Sequence, residues 1–147
     1  MTESFARAVG RRVLSRATAQ ELGLVAHLLI DPGRTHVAAL VIGKGKKARI
    51  VDWDQLSGFG PDAVMLNDEG ALREPADERE RQVARGHLEL VGKRALSGTG
   101  NGLGTIADVT FDPESGRLES LLIGDRDIPP SLLLGIGSYA AVLDITE

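Results

Sequence analysis

Leu103-Gly104-Thr105-Ile106-Ala107-Asp108-Val109-Thr110-Phe111-Asp112-Pro113-Glu114-Ser115-Gly116-Arg117-Leu118-Glu119-Ser120-Leu121-Leu122-Ile123-Gly124 reads as a β-hairpin. An apolar run rich in β-branched residues meets a turn cluster, and a second apolar run follows. The turn has its own chemistry: Asp112 can hydrogen-bond its own backbone, Pro113 presets φ, and Gly116 accepts a left-handed conformation. Leu22-Gly23-Leu24-Val25-Ala26-His27-Leu28-Leu29-Ile30-Asp31-Pro32-Gly33-Arg34-Thr35-His36-Val37-Ala38-Ala39-Leu40-Val41-Ile42-Gly43 is a second copy that aligns without a gap. The copies share the Leu-Gly start, the Asp-Pro turn and the Leu-x-Ile-Gly end, although the first places Gly33 directly after Asp-Pro. The chain is a duplication.

The match extends outward from the hairpins. Val9-Gly10-Arg11-Arg12-Val13-Leu14-Ser15 precedes the first, and Val91-Gly92-Lys93-Arg94-Ala95-Leu96-Ser97 precedes the second. Each reads as a short strand after a glycine, with a basic pair at its start. After the first hairpin, Gly43-Lys44-Gly45-Lys46-Lys47 leads into the strand Ala48-Arg49-Ile50-Val51-Asp52-Trp53, a second hairpin with a basic tip. The second copy shortens this region to Asp125-Arg126-Asp127-Ile128-Pro129-Pro130. Both copies close alike, through Gly58-Phe59-Gly60 into Ala63-Val64-Met65-Leu66 and through Gly135-Ile136-Gly137 into Ala141-Val142-Leu143. About five short strands with turns between them are the signature of a small barrel. The expected organisation is an all-β fold with one repeat over residues 8–66, a charged linker over 67–87 and a second repeat over 88–146. Residues 1–8 read as a frayed lead-in.

The linker contains Pro75-Ala76-Asp77-Glu78-Arg79-Glu80-Arg81-Gln82-Val83-Ala84-Arg85, with acids early and Arg81 and Arg85 late, as a helix dipole prefers. Asp77 and Arg81 stand four apart. Its few apolar residues predict a short exposed helix or a solvated linker. Leu24-Val25-Ala26, Leu28-Leu29-Ile30 and Leu40-Val41-Ile42 are apolar at consecutive positions, whereas a strand with one wet face alternates. Their inner face fills a barrel and their outer face needs another cover, so the two halves are expected to pack as a pseudo-symmetric pair.

The ordered set of motifs, occurring twice, resembles the PRC-barrel domain family. This small β-barrel is shared by the photosynthetic reaction-centre H subunit and the C-terminal part of the ribosome-maturation factor RimM. The resemblance implies a binding or scaffolding role without catalytic residues to carry over.

At 147 residues, each half is too small to be robust alone. The chain contains no cysteine, so disulfides and thiolate metal sites are excluded, which suits a cytoplasmic protein. No apolar run approaches a membrane span, and no secretory signal is visible. Seventeen basic against twenty-one acidic residues give a net charge of −4, which argues against a general nucleic-acid binder and leaves room for a local patch.

Gly43-x-Gly45-x-x-Ala48, Gly58-x-Gly60-x-x-Ala63 and Gly135-x-Gly137-x-x-Ala140 fit a relaxed dinucleotide fingerprint, but that fingerprint needs a following helix and strands are expected here. No cofactor is expected. His27, His36 and His87 lack ligand spacing, and no metal site is expected. His27 stands where the second copy has Asp108, a position kept polar. Asp31 and Asp112 read as turn residues rather than general acids, and no nucleophile–base spacing marks the chain as an enzyme. The candidate partner-binding residues are Lys44, Lys46, Lys47 and Arg49, whose bland reading is a soluble hairpin tip protected by lysine. Their functional reading is contact with an acidic partner or RNA phosphate, with only Trp53 and Phe59 nearby for base stacking. The sequence thus predicts a non-catalytic adaptor with a protein partner. An RNA- or ribosome-associated factor is the alternative, and an enzyme of unknown type the third reading.

Overall fold

A computed structural model describes residues 2–146; Met1 of the expected lead-in lies outside them. The chain opens with β1 (Glu3–Ser4) and a single-turn helix α1 (Phe5–Ala8). The first repeat follows as β2 (Arg12–Ser15), β3 (Glu21–Ile30), β4 (Val37–Ile42), β5 (Arg49–Asp52), β6 (Leu56–Phe59) and β7 (Ala63–Leu66). The linker carries helix α2 (Glu78–Ala84). The second repeat is β8 (Arg94–Ser97), β9 (Gly102–Phe111), β10 (Leu118–Ile123), β11 (Arg126–Ile128), β12 (Leu133–Ile136) and β13 (Ala140–Leu143). Each repeat has six strands rather than five, because the segment before the closing strand is itself a strand.

The two sheets have the same order, β5-β4-β3-β2-β7-β6 and β11-β10-β9-β8-β13-β12. In both, the first and closing strands pair in parallel (β2 with β7, β8 with β13) and the remaining neighbours within each repeat are antiparallel. Strands β5 and β6 lie at opposite ends of their sheet, yet only the short 3-10 turn Trp53–Gln55 joins them. So short a connection requires the sheet to curl until its ends approach. The register shifts along β3/β4 and β9/β10 supply local bends for that curl.

Both hairpin turns are built on their aspartates. The Asp31 carboxylate accepts from the backbone N–H of Thr35 (2.7 Å) and of His36 (3.1 Å), and Asp112 accepts from Glu114 N–H (2.9 Å). Partial burial opposes ionisation of Asp31, but the His36 and Thr35 amides outweigh it and hold the carboxyl below its ordinary range. The left-handed residue is Gly116 in the second turn, as its sequence implies, but Arg34 rather than Gly33 in the first. Arg34 is held there by the other repeat, since its Nε donates to Leu133 O at 3.0 Å.

The repeats meet through these turns. His36 and Arg117, which occupy the same place in their repeats, face each other in an antiparallel bridge. Val37 N–H donates to Gly116 O (2.8 Å) and Leu118 N–H to Thr35 O (2.9 Å). Pairing of a position with its own equivalent is what a twofold axis requires. Around it, all three phenylalanines and the single tryptophan of the chain gather on Phe111. Phe5 and Phe59 meet Phe111 edge-on at 5.6 and 5.4 Å, and Trp53 stacks on Phe59 at 5.6 Å. One hydrophobic core therefore runs through both barrels.

The lead-in is not frayed. Glu3–Ser4 pairs with the end of β9, and α1 buries Phe5 and Ala8 against the second repeat. Ala6 N–H donates to Asp108 Oδ1 (3.0 Å), while at the equivalent position His27 Nδ1 contacts Glu89 Oε1. Each repeat thus uses one polar strand residue to hold the segment leading into the other, which explains why that position stays polar.

The linker helix is not solvated either. Val83 is 3 % exposed and packs with Ala26, Leu29, Ala39, Val41, Ala48 and Ile50 on the outer face of the first sheet. The second cover demanded by the consecutive apolar residues of β3 and β4 is this helix, not the other barrel. Ala84 and Leu88 pack beside Val83 against the same face. Among the described residues, no helix is long and apolar enough to cross a membrane.

Candidate functional site

Helix α2 is fixed before it reaches the basic hairpin tip. Asp77 caps it, accepting from Glu80 N–H at 2.8 Å, and Glu80 reaches back to accept from Ala76 N–H at 2.7 Å. The Asp77–Arg81 pair expected from spacing does not form, since capping occupies Asp77 and Arg81 turns to Glu78 (3.2 Å). Arg73 then ties helix to sheet. Its backbone exchanges hydrogen bonds with Ile50 at 2.7 and 2.8 Å, and its guanidinium grips Glu80 (2.7 and 2.8 Å) and Asp52 (2.9 and 3.1 Å), each through two bonds. Asp52, one of the acids flanking Trp53, is therefore a structural partner.

The hydrogen bonds from Arg73 hold the Glu80 carboxyl below its ordinary range against the opposing effect of burial, with help from Ala76 N–H. The same bonds, to Glu80 first and Asp52 second, raise the Arg73 pKa. Because the Glu80 pKa is depressed in the folded state, its contribution is fully present above the unfolded value of about 4.3 and is lost as pH falls through the lower folded value. Thermal melts of wild type and Glu80→Gln should therefore differ most near neutrality and converge as the pH drops below that of a free glutamate. An undiminished gap in acid would contradict this account.

The four sequence candidates lie on the β4–β5 connection, residues 43–48, and the start of β5. Residues Gly45–Lys47 form a 3-10 turn, with Gly45 at φ 62°, a conformation that favours glycine. Lys44, Lys46 and Lys47 are exposed and carry no ion pair among the described residues. Arg49 is half-buried, donating to Lys46 O (3.3 Å) and Ala48 O (3.1 Å) and lying 3.9 Å from Glu74.

Three of the four come together with the linker helix. A cleft of about 710 Å³ separates tip from helix, lined by Lys44, Lys46 and Arg49 from the hairpin, by Arg81 of α2 and by Arg85, which caps the helix C-terminus. Ala48, Pro75 and Ala84 add small apolar surface, and Gly45, His27 and Glu74 complete it. Lys47 does not line this cleft. Arg81 and Arg85 stand four residues apart, so one helix face presents both, and Glu78 on the same face pairs with each, at 3.2 and 3.7 Å. The i, i+4 spacing was the available signal for these two arginines; their meeting with the tip depends on how α2 docks.

The aromatic rings are elsewhere. Trp53 and Phe59 line a separate cleft of about 660 Å³ where the second repeat's turn meets β6, together with Asp54, Asp112 and Glu114. The expectation that they lie near the basic tip is thus corrected: they belong to the core between the repeats, and the cleft beside them is acidic.

The architecture defines a class: a pair of small curled six-strand β-units, each with its first and last strands paired in parallel inside the sheet. Residues 87–143, which contain all six strands of the second repeat, match the family model of the PRC-barrel domain. The first repeat has the same strand order, which is how the structure supports a tandem duplication. No curated protein matches the chain.

Proposed function

We propose that the protein is a non-catalytic, cytoplasmic adaptor, in which two fused PRC-type barrels form a rigid pair that presents the basic tip of the first repeat to a protein partner. The observation that carries this reading is the tip itself. Lys44, Lys46 and Lys47 project from a connection the fold can do without, since the second repeat joins β10 to β11 through Gly124 and Asp125 alone. Longer connections cost little to close, and exposed lysines contribute little to stability. The same cations suit an RNA- or ribosome-associated role, but a stacking platform beside them is missing among the described residues, which favours protein.

Lys44→Glu/Lys46→Glu/Lys47→Glu is expected to melt within about 2 °C of wild type, because surface changes of this kind stay near 0.5 kcal/mol. It should fail to recover the partner that wild type retains from nuclease-treated source lysate. A large loss of stability would show the tip to be packed; retention lost to nuclease in wild type would transfer the reading to RNA.

A further inference from the structure

We infer that the cleft between the β4–β5 tip and helix α2 is the docking site for an acidic, extended segment of a partner protein, with Glu78 acting as a built-in competitor for that segment. This rests on the adaptor reading and extends it from one hairpin tip to a site made by two elements. Among the described residues, Lys44, Lys46 and Arg49 on one side and Arg81 and Arg85 on the other line the cleft with one carboxylate, Glu74. Helix α2 is anchored to the sheet through Arg73 and Val83, so its arginines are held in place before any ligand arrives. The small apolar surface of Ala48, Pro75 and Ala84 between these cations suits a chain that alternates acids with small apolar residues.

Glu78 already makes the kind of contact a ligand would make. It bridges Arg81 and Arg85, but both pairs are exposed, with side chains 45 % to 61 % accessible. Exposed pairs of this kind are weak and readily exchanged, so a ligand carboxylate can take Glu78's place. Removing Glu78 therefore frees both arginines and should strengthen binding, a result that mere helix support by Glu78 would not produce. Lys47 supplies the complementary control. It is as charged and as close in sequence as Lys46, yet it lies outside the cleft.

The test is fluorescence anisotropy of the full chain with a labelled dodecapeptide alternating Glu and Ala, and in parallel a labelled oligouridylate of equal length, at low and moderate salt. The peptide should bind more tightly than the RNA and release as salt rises. Arg81→Gln/Arg85→Gln should weaken peptide binding about fivefold to tenfold, and Lys46→Gln about threefold, while Lys47→Gln leaves it unchanged. Glu78→Gln should tighten it about twofold to threefold. If Lys46→Gln and Lys47→Gln weaken binding equally and the arginine variant does not, the tip alone binds: the adaptor reading stands and the two-element site falls. Unaltered affinity in Glu78→Gln would overturn its role as competitor, and tighter RNA binding would overturn the protein ligand. A peptide that no variant affects, or that fails to bind at low salt, would remove both the site and the reading on which it rests.

Discussion

Glu3→Ala is expected to destabilise the protein by about 3–5 kcal/mol, the usual consequence of removing one partner from a buried ion pair. The Arg11 and Glu3 side chains are only 7 % and 4 % exposed, and they meet through two bonds of 3.0 and 3.1 Å. Arg11 also donates to Gly60 O at 3.0 Å and lies over the Phe59 ring, 5.2 Å from its centroid. The alanine variant keeps the guanidinium in that place, beside apolar surface and the aromatic ring, without its counter-charge. Glu3 sits on β1, which pairs with the second repeat, so the loss also loosens the contact between repeats. A fall in melting temperature on the order of 10 °C is expected. The combined Glu3→Leu/Arg11→Met variant should recover much of it, since no unpaired charge then remains. If Glu3→Ala alone melts like wild type, the pair is not a buried contact in solution.

Gly116→Ala is expected to cost about 2–5 kcal/mol, from two sources that add. Gly116 has φ 78°, where an L side chain is strained by about 1–2 kcal/mol. Its added Cβ would also lie 3.0 and 3.1 Å from the Trp53 ring and 3.2 Å from Val37 O, across the contact between repeats. Forcing atoms into so close a contact typically costs a further 1–3 kcal/mol. Gly124→Ala separates the two terms. Gly124 has φ 63° with open space around it, so its loss should be confined to the strain of about 1–2 kcal/mol. Equal losses at the two positions in denaturant titrations would mean that the Trp53 contact contributes nothing.

The two variants report on features of different legibility. Gly116 was readable as a left-handed turn residue, because Asp-Pro-x-x-Gly is local chemistry and needs no knowledge of the rest of the chain. That its open face is covered by Trp53 of the other repeat was not readable. Glu3 was the opposite case. Nothing near it in sequence marks it as buried, and only the pairing of β1 with β9, more than a hundred residues on, takes it out of water. The linker shows the same limit: its capping and its i, i+4 arginines follow from sequence, whereas its role as a cover depends on the sheet it lies against.

The sequence by itself determined the internal match between the two halves, the hairpins with their aspartate-built turns, and the small-barrel class. Each of these rests on patterns that repeat at short range: alternation, turn residues and one internal match. It also marked the basic tip as the most distinctive charged feature. Only the tertiary structure decided that Lys44, Lys46 and Arg49 meet Arg81 and Arg85 while Lys47 stays out, and that the aromatic rings lie in the core between the repeats. The physical reason is that the docking and rotation of α2 are set by Val83 and Arg73 against β3–β5. Those contacts join residues more than twenty positions apart, and no local periodicity encodes which side of a docked helix will face a neighbouring loop.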